Sequence, residues 1–250
     1  MRKQKNSIAG FIAVLYVVAI AAGVYATNAK GKPVESRYAI AKRLVEQKKF
    51  PEAIAEYSKL LTANPRDSAA RLGLAEAFLL SNQAQASMVE CNKVLQREPE
   101  NPDALLVRAK VKFYQKDPGA VDDINKSIKL NPRRAESYEE RAQMYYFLGT
   151  IDSSMDYSSA AYKDCAKAIE LNPRSGKAYN FRGIFQAENR KYKDAIVSFS
   201  KAIEIDPNDQ SSLKYRGMAY SVSKQYDAAL KDCNSILKIH GAYSLRVAIS

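Results

Sequence analysis

The sequence predicts an all-α solenoid of about six helical hairpins, preceded by one apolar segment. Prolines that follow Asn, Asp or Glu recur at spacings of 34, 33, 41 and 34 residues, at Pro65, Pro99, Pro132, Pro173 and Pro207. Small residues recur in register with these prolines at two further positions. A fixed period of this length is the sequence signature of stacked repeats rather than of one globular core.

Composition and charge exclude several other classes of protein. The 250 residues are 46% hydrophobic and 26% charged, which excludes a disordered tail or a collagen. The formal net charge is +12, and residues 1–32 contribute five Lys or Arg without any acid. Basic residues in the remainder are interleaved with acids, which is a weak electrostatic footprint for nucleic acid.

The first predicted element is the apolar run of residues 8–26, between a basic tail at 1–7 and a linker at 27–33. Its 19 uncharged residues, as a helix, just span a bilayer core of roughly 30 Å. Small residues at 24–29 also offer cut sites for a signal peptidase, so a cleaved signal peptide is the alternative. Because the run exceeds the usual signal-peptide core, we expect a single-pass anchor. Basic residues flank both sides, and we expect an extracytoplasmic repeat domain.

The six predicted repeats are residues 34–67, 68–101, 102–134, 135–175, 176–209 and 210–241, followed by a tail at 242–250. Position 8 of every repeat is Ala or Gly, and position 20, counted back from the proline at position 32, is Ala or Ser. Two helices that cross closely need minimal side chains at such positions. Apolar residues recur around them at helical spacing, as in Ile54, Tyr57, Leu60 and Leu61.

In this register the chain resembles the tetratricopeptide repeat family over about residues 34–241. The stretches AYNFRGIFQAENRKYKDAIVSFSKAIEIDP and LKYRGMAYSVSKQYDAALKDCNSILKI carry the resemblance best. It implies a right-handed superhelical solenoid whose first helices line a concave groove for a protein or peptide partner. The fourth repeat departs from the pattern by seven extra residues near Thr150–Ser159, where we expect a longer loop or an extended turn.

The resemblance places positions 2, 5, 9, 12 and 13 of each first helix in the groove. Apolar residues at these positions form the predicted partner-binding site: Leu72, Leu79, Leu106, Phe113, Tyr114, Tyr146, Phe147, Ile184 and Met218. Packing between repeats explains any single one of them equally well. The aromatic pairs of the third and fourth repeats are the stronger case, because neighbouring repeats carry them at the same positions.

No residue pattern in the sequence predicts catalysis, a cofactor or a metal site. His240 is the single histidine, so a two-histidine metal motif is excluded. Cys91, Cys165 and Cys233 share position 24, which the register assigns to the hairpin core. An intervening repeat separates each cysteine from the next, which places them beyond disulfide reach.

Arginine at position 7 and acid at position 23 predict that the arginines lie along the hairpin and pair with aspartates of the second helix. Exposed arginines with buried stems are the alternative. The last four repeats carry Arg108, Arg141, Arg182 and Arg216, and three of them carry Asp123, Asp164 or Asp232. Repeat 5 instead has Ser198, and repeats 1 and 2 have Glu56 and Glu90 without an arginine at position 7.

The apolar run of residues 8–26 and the repeats together predict a membrane-tethered, non-catalytic scaffold for protein or peptide partners, without a small-molecule substrate. The tail carries Tyr243, Leu245, Val247 and Ile249, which we expect to fold over the last hairpin or to leave an apolar end for self-association. One alternative is a secreted or periplasmic repeat protein that assists complex assembly after signal cleavage. A basic nucleic-acid-binding repeat protein is a less favoured alternative.

Overall fold

The structure is a computed structural model that describes residues 36–151 and 157–249, with side chains described as far as residue 239. Within those ranges the chain forms twelve α-helices and no strand, which confirms the predicted all-α repeat solenoid. The helices are α1 Arg37–Glu46, α2 Phe50–Ala63, α3 Ser68–Leu80, α4 Ala84–Arg97, α5 Pro102–Tyr114, α6 Ala120–Leu130, α7 Ala135–Ile151, α8 Tyr157–Leu171, α9 Gly176–Glu188, α10 Tyr192–Ile205, α11 Gln210–Val222 and α12 Tyr226–Ile249.

The predicted membrane anchor, residues 8–26, lies outside the described residues, as do the basic tail and the linker. Among the twelve described helices, none combines the length and the apolar character that crossing a bilayer requires.

Four first helices begin at Asn, Asp or Ser N-caps that lie two residues after a proline. The side chains of Asp67, Asn101, Ser175 and Asp209 each accept a hydrogen bond from the backbone N–H three residues later. These caps satisfy backbone donors that the first turn leaves without a partner. Pro102 follows Asn101 as the first residue of α5, where its missing N–H costs nothing.

Position 15 turns five of the six hairpins through a left-handed residue. These residues, with φ between 58° and 63°, are Lys48, Asn82, Lys116, Arg190 and Lys224. The backbone N–H of the following residue, at position 16, donates to the backbone carbonyl at position 11. In repeat 5, for example, the N–H of Lys191 donates to the carbonyl of Gln186 at 2.8 Å. The first helix therefore ends at the same place in each of these repeats.

Repeat 4 lacks this turn, and its first helix is longer than the others. Position 15 is Gly149, and α7 continues through it to Ile151, for 17 residues in all. Helix α8 begins at Tyr157, so both ends of the predicted loop at Thr150–Ser159 are helical. The prediction of a loop over that whole range is therefore wrong at both ends, and residues 152–156 lie outside the described part.

The chain divides into two compact units, residues 1–90 and 91–250, with the boundary inside α4. In unit 1, helices α1, α2 and α3 pack against one another. Their core is Ala41, Ala53, Tyr57, Ala70, Leu74 and Ala77. In unit 2, each helix from α5 to α12 packs against the next, and the first helices α5, α7, α9 and α11 also pack against each other in succession.

Three arginines form the ion pairs that the sequence predicts across the hairpins. The pairs are Arg108–Asp123, Arg141–Asp164 and Arg216–Asp232, each with an N–O distance of 2.6 to 2.7 Å. The structure adds a contact that sequence reasoning missed. The Nη1 of each arginine donates to position 25 of the preceding repeat, at Asn92, Asn125 or Ser200. Each arginine therefore joins two second helices, and we call the arrangement the arginine clasp.

Repeat 5 lacks a complete clasp. Arg182 donates to the hydroxyl of Ser198 at 3.1 Å and lies over the ring of Tyr179, 4.8 Å from its centroid. Position 25 of the preceding repeat is Ala166, which offers no side-chain acceptor.

Repeats 1 and 2 form an equivalent pair from different positions. Arg37 pairs with Glu56 at 2.8 Å, and Arg71 pairs with Glu90 at 2.5 Å. Here the arginine lies one helical turn earlier, at position 4, and a glutamate replaces the aspartate. Position 7 carries no arginine in these two repeats, so the pattern at that position does not predict these pairs.

In the last repeat, one of the two alternatives for the tail and the predicted burial of Cys233 are wrong. Helix α12 continues unbroken through Gly241 to Ile249, so the tail does not fold back over the hairpin. No proline interrupts α12. Cys91 and Cys165 are buried as predicted, but Cys233 is exposed. The register assumed a following repeat to cover it, and the described residues contain none.

Candidate protein-binding face

The first helices of unit 2 carry exposed apolar side chains on a shared surface. We call the exposed surface of α5, α7, α9 and α11 the first-helix face. Position 13 on these helices is Tyr114, Phe147, Glu188 and Val222, and its three apolar side chains are 45% to 60% exposed. Water contacts these side chains although the core of each hairpin is closed, so they remain available for contact with another molecule.

Six of the nine predicted groove residues are exposed or half-buried. Tyr114, Phe147 and Met218 are exposed on the first-helix face. Phe113 and Tyr146, at position 12, are half-buried beside them. Leu79 belongs to unit 1, where it is half-buried.

The other three predicted groove residues are buried, which corrects their assignment to an open groove. Leu106 is fully buried in the core with Ile124 and Met144, and Leu72 and Ile184 are also buried. Leu106 packs with Met144 of the next first helix, and Ile184 packs with Tyr146 and Tyr215 of the neighbouring first helices, so these side chains stabilise packing between repeats. The packing explanation therefore holds for these three residues.

Aromatic rings connect the first helices of unit 2 beneath the exposed residues. Phe113 of α5 meets Phe147 of α7 edge to face, with ring centroids 5.4 Å apart. Tyr146 meets Phe181 and Phe185 of α9, each at 5.9 Å. Edge-to-face pairs at such distances favour one relative arrangement of the helices. The exposed side chains therefore stand on a rigid aromatic base.

Tyr146 and Glu188 form the polar part of this face. Burial raises the pKa of the Tyr146 phenol to about 12, and the nearby Tyr215 phenol and Glu188 carboxylate add to the effect. Partial burial also raises the pKa of Glu188. Among the described residues, no cation forms an ion pair with Glu188. An unpaired acid thus lies at position 13 of repeat 5, where the neighbouring repeats carry apolar residues.

Ion pairs hold neighbouring first helices together at the edges of the face. Lys110 of α5 pairs with Glu136 of α7 at 3.2 Å, and Lys177 of α9 pairs with Glu140 of α7 at 2.9 Å. Burial by itself would raise the pKa of Glu136, but Lys110 and Arg134 outweigh it and hold the pKa below its usual value. These acids are neutralised within the protein, unlike Glu188.

Sequence reasoning missed four residues of this face. Val222 occupies position 13, and the register alone could have found it, as it found Tyr114. Glu188 was passed over because the search selected apolar residues. Phe181 and Tyr215 occupy position 6, which the resemblance does not assign to the groove, so only the structure reveals their contacts with Tyr146.

Across residues 36–151 and 157–249, no three His, Cys, Asp or Glu residues come together as metal ligands. A cleft of about 340 Å³ opens at the tips of α8, α9 and α10. Its lining is mostly polar and consists of Ser158, Ser159, Tyr162, Phe185, Gln186, Asn189, Lys191 and Asp194.

Comparison with known proteins identifies relatives of the chain at the level of family and fold. The family profile described as "Tetratricopeptide repeat protein 21 C-terminal ARM domain" matches residues 81–247, and one described as "Tetratricopeptide repeat" matches residues 44–111. Among curated proteins, the Mitochondrial import receptor subunit TOM70 of Homo sapiens is 26% identical over 138 residues. That match spans 53% of this chain and 22% of TOM70.

Two solved structures illustrate the similarity in fold. The APC/C hetero-tetramer Cut9-Hcn1 matches with a TM-score of 0.69 and 16% identity, over 80% of this chain and 38% of that chain. MamA matches with a TM-score of 0.56 and 22% identity, over 68% of this chain and 96% of that chain. At these identities the similarity shows the fold alone.

Proposed function

The chain belongs to the tetratricopeptide repeat family, and from this premise we propose that it is a non-catalytic scaffold that binds protein or peptide partners through the first-helix face of unit 2. The supporting observation is the row at position 13. Tyr114, Phe147 and Val222 are exposed at the same register position on three first helices, with Met218 beside them. An apolar strip on packed helices suits an extended segment or a helix laid across it.

The charge on this face indicates the chemistry of the partner. Glu188 interrupts the apolar row and has no ion-pair partner among the described residues. A bound segment with apolar side chains would cover the exposed row at position 13, and one Lys or Arg opposite Glu188 would pair with its carboxylate. An acidic partner would instead meet an unpaired, partly desolvated carboxylate, which costs binding free energy.

The relatives support a binding role without identifying the partner. TOM70 is named as a receptor subunit, and this chain spans only 22% of its length. The partner of the present chain is therefore proposed by chemistry alone, as a basic and apolar segment of a protein.

Selection from a random peptide library displayed on phage tests the proposal. We expect the full chain to enrich peptides that combine aromatic or aliphatic residues with Lys or Arg. Phe147→Glu should then weaken binding of a selected peptide at least tenfold, which is about 1.4 kcal/mol. Val197→Glu is the matched control, because Val197 is 60% exposed on the second helix α10. Equal losses from both variants, or none from Phe147→Glu, would contradict the assignment of this face.

Glu188→Gln separates the charge from the apolar contacts. We expect a loss of about two- to fivefold for basic peptides, as for a surface ion pair of 0.2 to 1 kcal/mol, and none for neutral ones. A labelled oligonucleotide tests the alternative partner class. Tight, steeply salt-dependent binding of nucleic acid that Phe147→Glu does not affect would favour the nucleic-acid alternative.

We further propose that residues 8–26 tether the scaffold to a membrane, with the repeats on the extracytoplasmic side. The support is the length and apolar character of that run between basic residues. After expression of the full chain, alkaline carbonate should leave the protein in the membrane fraction, and deletion of residues 8–26 should release it. Protease added to sealed vesicles of known orientation tests on which side of the membrane the repeats lie, because it digests only the repeats on the outer surface of the vesicle. Release of the intact full chain by carbonate would contradict the tether.

A further inference from the structure

The last helix exposes apolar positions that are buried or half-buried in most of the earlier repeats. Position 24 is buried in repeats 1 to 5 and exposed at Cys233 in repeat 6. Position 28 is 9% exposed at Leu95 and Ile128 but 66% exposed at Leu237. Leu230, one turn before Cys233, is also exposed. We call Leu230, Cys233 and Leu237 the open face of α12.

In the interior repeats, the first helix of the next repeat covers these positions. Tyr57 at position 24 of repeat 1 packs in one core with Ala70 and Ala77 of α3. Cys165 at position 24 of repeat 4 packs in one core with Phe185 of α9. The same chain therefore shows repeatedly what kind of element fits against positions 24 and 28.

The covering helices share two positions that make the contact. Position 3 is a small residue, buried throughout repeats 2 to 6: Ala70, Ala104, Ser137, Ala178 and Ser212. Position 10 is an apolar residue, also buried: Ala77, Val111, Met144, Phe185 and Ala219. Seven residues are two helical turns, so the small and the apolar side chain lie on one side of the helix.

The first helix of a second copy does not fit this surface. Repeat 1 has no second helix before it among the described residues, and its positions 3 and 10 are Ser36 and Arg43, both exposed. Docking α1 onto the open face would place Arg43 where the covering helices of repeats 2 to 6 carry a buried apolar residue, and moving a guanidinium out of water costs free energy. Head-to-tail stacking of copies of this chain is therefore disfavoured.

We propose that the open face of α12 binds an amphipathic helix of a partner protein, in the place that the first helix of a seventh repeat would occupy. The partner helix carries Ala or Ser at one position and an apolar residue seven positions later. The open face is separate from the first-helix face, so the two sites bind different segments and this inference does not depend on the proposed function.

Cys233 provides a direct measurement of occupancy in the unmodified chain. Cys91 and Cys165 are buried, and burial raises the pKa of the Cys165 thiol to about 12, so a maleimide alkylates Cys233 first. The probe is a helix-stapled peptide of residues 101–116, which contains Ala104 and Val111. At about ten times its Kd, the peptide should slow alkylation of Cys233 about tenfold, because only the free site reacts.

Matched variants test whether the peptide protects Cys233 from alkylation by binding to the open face of α12. The peptide with Val111→Asp should fail to protect Cys233. The chain with Leu237→Asp should lose protection by the unmodified peptide, whereas the chain with Val197→Asp should keep it. Circular dichroism of both chains checks that these surface substitutions leave the fold intact.

Three results would overturn the inference. The first is unchanged alkylation of Cys233 at millimolar peptide, and the second is equal protection by the Val111→Asp peptide. The third is alkylation that slows as the chain itself is concentrated without peptide, together with a dimer in sedimentation that Leu237→Asp dissociates. That result would assign the open face to a second copy of this chain.

Discussion

Arg141 of α7 joins two second helices at once. Its Nε and Nη2 donate to the carboxylate of Asp164 in α8 at 2.8 and 2.7 Å, and its Nη1 donates to Asn125 in α6 at 2.8 Å. One side chain thus connects its own hairpin to the preceding one. In a repeat array, each interface between neighbours contributes directly to stability, so the clasp acts on the unfolding of more than one repeat.

Removal of the clasp acid should strongly destabilise unit 2. Asp164→Ala leaves the guanidinium of Arg141 without a carboxylate in a half-buried site. We expect the free energy of unfolding to fall by about 3 kcal/mol, as for a broken buried pair. Denaturant titration followed by circular dichroism measures the loss. Glu56→Ala is the control, because Arg37 is exposed and such a pair contributes less than about 1 kcal/mol. Equal losses would contradict the importance of burial.

Repeat 5 permits the reverse experiment. Ser198 occupies the clasp position, and Arg182 there lacks a carboxylate partner among the described residues. Ser198→Asp should allow the bidentate pair seen in repeats 3, 4 and 6 and raise the free energy of unfolding by about 1 kcal/mol. Arg182→Met combined with Ser198→Asp should remove the gain. A loss of stability from Ser198→Asp alone would show that the buried site cannot accommodate the carboxylate.

Two glycines at position 8 should respond differently to alanine. A Cβ on Gly183 would lie 2.6 Å from the ring of Phe199, whereas a Cβ on Gly217 would lie 3.6 Å from Asp232, an ordinary contact. We expect Gly183→Ala to lower the free energy of unfolding by about 1 to 3 kcal/mol through overpacking. Gly217→Ala should raise it by about 0.5 kcal/mol, because alanine favours the helix. Thermal unfolding of both variants checks the contrast, which would disappear if Phe199 could move aside.

The clasp of repeat 3 predicts a dependence of stability on pH. Burial by itself would raise the pKa of Asp123, but hydrogen bonds and charge from Arg108 and Lys112 outweigh it and hold the pKa below the usual value. Ionised Asp123 therefore stabilises the fold above its unfolded pKa of about 3.9, and this contribution is lost as the pH falls through the folded pKa. Asp123→Asn should reduce the slope of stability against pH below about pH 4. Denaturant titrations at several pH values measure it, and an unchanged slope would contradict the pairing.

The register determined much of this protein without a structure. Period, crossing residues and proline positions predict the helical hairpins. The arginines at position 7 predict the ion pairs with Asp123, Asp164 and Asp232, because each pair lies within one repeat. Such contacts recur at fixed sequence separation and are visible in one chain. The same reasoning predicted Tyr114, Phe147 and Met218 at the surface of the first helices, and all three are exposed.

Tertiary structure alone decided which of the similar side chains are open to solvent. Leu106 and Tyr114 both occupy predicted groove positions of α5, yet the first is buried in the core and the second is exposed. Cys91, Cys165 and Cys233 share a register position, yet only the third is exposed. The physical reason is that exposure depends on the neighbouring repeat as well as on the residue's own position. The sequence alone determined the repeats and their internal pairs, and the packing of one repeat on the next decided which surfaces remain free to bind.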